Sequence, residues 1–390
     1  MPTTRLRNLC YRAAYPVLAP SVRGRLTHLA AGDSVDLASY EAFLTRYHVH
    51  GASLRLKAGA RETTIETSLT GSDHQARPDT LYRVASLTKM ATSLLCLHLI
   101  SEGAFALDSP VADLLHLPSP ALQGISVRHL LSHTSSLRDT PCVDQALDRG
   151  ETLESVLATP GIRVGNPGAF AYCNFGFGIL GCVLEAVCEE SLRTVFDKRL
   201  LFPLALRGTL DASTLDPEQI MPVERLLPYH PGHALRKTRL GSQPLDSPDP
   251  TRHFGHTAGA LYTDSASILR LLDTIRTGQC PAGNYVAPSL IREMHSVQAT
   301  YGRRSPTLSY GLGLLFVSDP RLSPHRLVGH QGLAYGCVDG AFYEEDSPDA
   351  SARQMVFLNG GCSEARIGMM TCSNRDLIAW SLKEMNRWLS

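Results

Sequence analysis

The sequence predicts an α+β fold whose strands come from both ends of the chain and whose helices fill the middle. Three observations predict it. Strand-like apolar runs lie before residue 66 and after residue 310, a strongly apolar helical stretch follows Ala85, and Pro-rich loops and helices occupy Asp108 to Phe254.

Residues 1–32 carry Arg5, Arg7, Arg12, Arg23 and Arg25 and no acidic residue. Pro16 and Pro20 interrupt any long amphipathic helix, so the segment reads as a basic N-terminal extension. Membrane association through its positive charge is the rival reading. The folded part is expected over 33–390. Asp33 and Ser34 can cap a helix bearing Leu37, Tyr40, Phe43, Leu44 and Tyr47. Alternation from Gly51 to Lys57, a Gly59-Ala60 turn and a second run through Ile65 predict a hairpin. A buried helix follows over Ala85 to Ile100, stopping near Gly103.

The middle, approximately 109–254, is expected to be a helical subdomain inserted into an α/β subdomain made of 33–108 and 255–390. Its helices include Ser126 to His133 and Phe175 to Cys188. After it, Thr263 can cap a helix carrying Ile268, Leu271, Leu272 and Ile275. Strands are expected at Gly311–Val317, Arg326–Gly329, Cys337–Tyr343 and Gln354–Leu358, with a closing helix that ends at Trp388.

Composition narrows the function. Lys plus Arg and Asp plus Glu each total 37, leaving no net positive charge to gather phosphates, so nucleic acid is not an expected partner. The chain contains no apolar run long enough to span a bilayer. Leu6 to Leu18 is too interrupted to serve as a secretory apolar region, which points to the cytoplasm. The 10 cysteines form no Cys-x-x-Cys pair and fit a reducing compartment.

The chemistry is concentrated in three places. Ser86 and Lys89 stand three apart at the start of the buried helix, so both side chains emerge on one face. A serine hydroxyl needs a neighbouring base, and a desolvated lysine of lowered pKa can be one. Tyr172-Cys173-Asn174 opens the helix of the middle block. His330-Gln331-Gly332 leads out of a strand.

Together and in this order, Ser-x-x-Lys, Tyr-x-Asn and His-x-Gly resemble the three active-site motifs of the β-lactamase-like serine hydrolases, including class C β-lactamases, penicillin-binding proteins and related esterases. Residues 126–135, 255–272 and 310–313 are also similar to family segments, so the resemblance covers roughly 35–388. It implies the β-lactamase/transpeptidase-like fold, an antiparallel sheet flanked by helices plus a helical subdomain. It also implies an acyl-enzyme mechanism with no cofactor or metal. Ser86 would be the nucleophile and Lys89 and Tyr172 its proton-handling partners. Asn174, His330, Gln331, Gly332 and Leu333 would bind substrate, with the Leu333 N–H completing an oxyanion site with that of Ser86. His330 and Gln331 depart from the Lys-Thr-Gly of class C β-lactamases. This favours a small ester or peptide-like amide over a β-lactam.

Other readings fail on context. Gly176 to Gly181 spells G-x-G-x-x-G but follows no strand. Cys173 has no base placed for it. His253 with His256, and His48 with His50, lack carboxylate or cysteine company for zinc. A non-catalytic binding or scaffold protein keeping the fold is the rival from another class.

Overall fold

The structure, a computed structural model, describes residues 25–223, 245–334, 336–345, 352–362, 366–367 and 370–389. Its centre is a nine-stranded sheet built from β1 (Leu26–Gly32), β2 (His50–Ala58), β3 (Arg61–Leu69), β4 (Ala299–Thr300), β5 (Leu308–Tyr310), β6 (Leu315–Val317), β7 (Leu327–Ala334), β8 (Cys337–Glu344) and β9 (Arg353–Gly361). The order across the sheet is β1-β3-β2-β9-β8-β7-β6-β5-β4, and every neighbouring pair is antiparallel. The N-terminal hairpin thus joins the C-terminal strands at β2 and β9, with Phe357 opposite Leu54.

The sheet is covered on both faces. Along β9, Met355 and Phe357 enter one core with α1 (Leu37–Arg46) and α6 (Cys372–Leu389), whereas Val356 and Leu358 enter another with α2 (Thr88–Ser101), α4 (Asn174–Cys188) and α5 (Ser265–Thr277). This period-two alternation is what a strand buried on both sides requires. Helix α2 is buried along almost its whole length, from Thr88 to Leu97. Each of its leucines contributes roughly 1.5–3 kcal/mol through burial, which holds the polar groups at its N-terminus in place. The short helix α3 (Val127–Leu131) packs against α4.

Several expectations shift. The sheet begins before Asp33, because β1 pairs with β3 from Leu26↔Leu69 to Gly32↔Thr63. It is an edge strand with mostly exposed side chains, so it carries no hydrophobic alternation to read. Only residues 25–32 of the basic extension are described. Helix α1 is capped by Asp36, whose carboxylate accepts from Ser39 N–H at 3.1 Å, while Asp33 accepts from Glu62 N–H. Asp264, not Thr263, caps α5. The strand expected at Gly311–Val317 is two strands around a turn at residues 311–314, where Gly313 adopts φ +73°. The third motif lies inside β7 rather than beyond it, paired with β8 through Ala334↔Cys337.

Candidate active site

Ser86 sits in a 3₁₀ turn, Ala85–Leu87, that leads directly into α2. Ala85, the residue before it, has φ +45°, a left-handed conformation that costs a non-glycine residue roughly 1–3 kcal/mol. The Thr88 hydroxyl donates to Ala85 O at 2.6 Å and accepts from Leu261 N–H at 3.2 Å, fixing the turn from behind. Strand β7 crosses close in front. A Cβ on Gly332 would lie 2.5 Å from Val84 O and 3.3 Å from Ala85 Cβ, so only glycine lets strand and turn approach this closely.

Lys89, one turn on, is fully buried, and its ammonium donates to three oxygens: Ser86 Oγ at 3.1 Å, Asn174 Oδ1 at 2.8 Å and Ala258 O at 2.7 Å. Burial lowers its pKa to about 7, against the opposing pull of Asp139 and Cys173. The Tyr172 hydroxyl donates to the same Ser86 Oγ at 3.0 Å, and Lys89 Nζ lies 5.0 Å from the centre of the Tyr172 ring. The structure therefore brings Ser86, Lys89, Tyr172 and Asn174 into one hydrogen-bonded cluster, with Ser86 half-buried and Asn174 exposed.

The strand residues are arranged differently. His330 is buried, with Nδ1 2.6 Å from Gln331 O and Nε2 3.0 Å from the Tyr310 hydroxyl. A carbonyl oxygen only accepts, so Nδ1 carries the proton and Nε2 accepts from Tyr310. Burial, followed by the Lys89 charge, lowers the His330 pKa to about 3, leaving the ring neutral. The Gln331 amide oxygen accepts from Thr371 N–H at 3.2 Å. Leu333 packs, half-buried, on the core beneath α1 and α6.

Four further groups had no role assigned from the sequence, three of them inside the family-like segments 126–135, 255–272 and 310–313. His133, with φ +57°, accepts Cys173 N–H at Nδ1 and packs its ring 4.2 Å from that of Tyr172. Asp139 holds the start of α4. Tyr310 engages His330, and Ala258 offers only a backbone carbonyl, which no side-chain motif can announce. For Cys173, burial and then the Asp139 charge push the thiol up to about 12, so no thiolate forms at neutral pH. Two of the three glycines of G-x-G-x-x-G serve packing: a Cβ on Gly178 would lie 1.7 Å from Phe254 O and one on Gly181 would lie 3.1 Å from His253 O. His253 Nδ1 faces the Glu185 carboxylate at 2.7 Å, a fully buried pair joining α4 to the same segment.

Comparison with known proteins agrees with this architecture. The Beta-lactamase family model matches residues 38–386. The chain belongs to that family, one of serine hydrolases. It is 25% identical over 338 residues to Esterase EstB of Burkholderia gladioli, covering 77% of this chain and 83% of the esterase. Among solved structures, a D-amino acid amidase from Ochrobactrum anthropi SV3 superposes with a TM-score of 0.67 at 18% identity, covering 91% of this chain and 97% of the amidase. The octameric penicillin-binding protein homologue from Pyrococcus abyssi gives 0.66 at 19% identity, covering 91% and 78%. These two share the fold. Among the described residues, no helix is long and apolar enough to cross a membrane.

Proposed function

We propose that the protein is a serine hydrolase acting through a covalent acyl-enzyme on a small ester or peptide-like amide. The observation that carries this reading is the convergence of Lys89 Nζ, at 3.1 Å, and the Tyr172 hydroxyl, at 3.0 Å, on Ser86 Oγ. A lysine with a pKa of about 7 is neutral in a large fraction of molecules at physiological pH. Neutral Lys89 has two N–H bonds and one lone pair. Asn174 Oδ1 and Ala258 O can only accept, so they take the N–H bonds and the lone pair turns to Ser86, the one partner with a proton to give.

That geometry supports an acyl-enzyme reaction. The Ser86 proton passes to Lys89 Nζ as Oγ attacks the substrate carbonyl carbon, and the carbonyl oxygen takes the negative charge. The N–H groups of Ser86 and Leu333 receive this oxyanion. The C–O or C–N bond then breaks as the Tyr172 hydroxyl protonates the leaving group and regains its proton from the Lys89 ammonium. In the second half, Tyr172 and Lys89 remove a proton from water, whose oxygen attacks the acyl carbon, and Ser86 leaves with its proton restored. Asn174 holds Lys89 and, with Gly332, borders the acyl group. Esterase and D-amino acid amidase names among the similar proteins support this substrate range. Neutral, buried His330 offers no cation to a β-lactam carboxylate, which supports ester or amide over β-lactam.

The test is p-nitrophenyl butyrate hydrolysis by the wild type beside Ser86→Ala, with a chromogenic cephalosporin assayed in parallel. Ester turnover that vanishes in Ser86→Ala while the cephalosporin stays intact is the expected result. Equal rates from the two proteins would overturn the reading and favour a non-catalytic protein keeping the fold.

A further inference from the structure

Asp139 lies in the loop between α3 and the helix Pro141–Arg149. The loop is pinned by Arg138 N–H to Ile162 O at 2.9 Å and Val164 N–H to Ser136 O at 3.0 Å. One carboxylate oxygen accepts from Asn174 N–H at 3.0 Å and Asn174 Nδ2 at 2.9 Å; the other accepts from Phe175 N–H at 2.9 Å and the Cys173 thiol at 3.5 Å. An acidic group at the N-terminus of a long helix is ordinary stabilisation, but the bond to Asn174 Nδ2 does something more. A carboxylate only accepts, so it holds the NH₂ end of the amide toward Asp139 and leaves Oδ1 facing Lys89. A flipped amide would oppose N–H to ammonium.

We propose that Asp139 is a positioning residue for hydrolysis, acting through Asn174 to hold Lys89 against Ser86. The proposal rests on the serine-hydrolase reading above, and the test separates the two. Asp139→Asn removes the charge while its amide oxygen can still cap α4, so melting temperature serves as the control for folding. The readouts are the rate at which a fluorophosphonate labels Ser86 across pH and the titration of Lys89 followed by NMR of ¹³C-labelled lysine.

Asp139→Asn is expected to slow labelling by about 10- to 100-fold at neutral pH, the scale of loss when a catalytic group is slightly misplaced. The labelling rate should rise as Lys89 loses its proton. The Asp139 charge raises that pKa, so its removal moves the midpoint to lower pH. In an Asn174→Ala background Asp139→Asn should then add little to the loss of rate. Wild-type labelling rate and Lys89 midpoint in Asp139→Asn, or an undiminished effect in the Asn174→Ala background, would overturn the proposal. Absence of Ser86 labelling in the wild type would instead sink the hydrolase reading, and the Lys89 titration would still judge Asp139.

Discussion

The helix side and the strand side of the site place buried bases to opposite ends. On the helix side, the polar atoms of Lys89 and Tyr172 point at one target, Ser86 Oγ. On the strand side, His330 and Gln331 satisfy the protein itself, His330 with Tyr310 and Gln331 O, and Gln331 with Thr371. Burial lowers the pKa of both bases, yet Lys89 arrives at about 7, where proton transfer is useful, and His330 at about 3, where it is not. The same desolvation leaves a base suited to proton transfer near neutral pH from a residue that starts near 10.5, and a neutral ring from one that starts near 6.5. In the proposed mechanism proton transfer therefore belongs to the helix side, and the side chains of His330 and Gln331 contribute shape.

Removing the base breaks the comparison most severely. Lys89→Met should lower ester kcat/KM by on the order of 10³-fold, within the range that positioned acid–base groups supply. In the wild type, kcat/KM should rise with pH through a midpoint near 7, because the base must be neutral. Stability should also rise with pH, over a higher window. Between the folded pKa of about 7 and the unfolded value of 10.5 the unfolded chain binds the extra proton, so wild-type stability gains from rising pH across that window and from this group gains nothing below it. Lys89→Met should therefore compare most favourably with the wild type in melting temperature at pH 6, with the difference shifting toward the wild type by pH 9. A pH-independent difference would show that the lysine is not desolvated as described.

A smaller effect is expected from Gly178→Ala, which tests how the helix side is assembled. The new methyl would meet the Phe254 carbonyl, forcing α4 from the segment that carries Ala258 O to Lys89. Overpacking of this kind costs about 1–3 kcal/mol, visible as a lower melting temperature together with reduced ester turnover. Gly176→Ala is the internal control: its Cβ would meet nothing closer than Leu130 Cδ2 at 3.5 Å, so stability should hold. Equal tolerance of both substitutions would remove the packing account of G-x-G-x-x-G.

These two glycines also show what a sequence can and cannot disclose. Ser86 and Lys89 were legible because helical spacing fixes their relation, and Tyr172 and Asn174 because their motif resembles that of a family. The contribution of strands from both termini was legible in the alternation over Gly51–Lys57 and in the strand-like apolar runs after residue 310. Edge strand β1 was not, since its exposed side chains leave no alternation. Nor was Asp139, whose relation to Asn174 spans 35 positions and depends on a loop pinned by backbone bonds. His330 was visible as a residue and opaque as a role: resemblance to the family's third motif placed it beside the site, but only the Gln331 carbonyl and the Tyr310 hydroxyl reveal that its ring is already engaged.

Tyr310→Phe gives the gentlest test and the sharpest for the strand side. Loss of the hydroxyl leaves His330 Nε2 without the donor at 3.0 Å in a fully buried position, which should cost about 1–3 kcal/mol of stability. The ring of Tyr310, 4.8 Å from that of His133, keeps its packing as phenylalanine. If His330 acts only as a neutral spacer, ester turnover should fall by no more than about tenfold and the midpoint of kcat/KM near pH 7 should stay in place. A collapse of kcat, or a displaced midpoint, would mean that His330 exchanges protons during turnover, and the division of labour between the two sides would have to be redrawn.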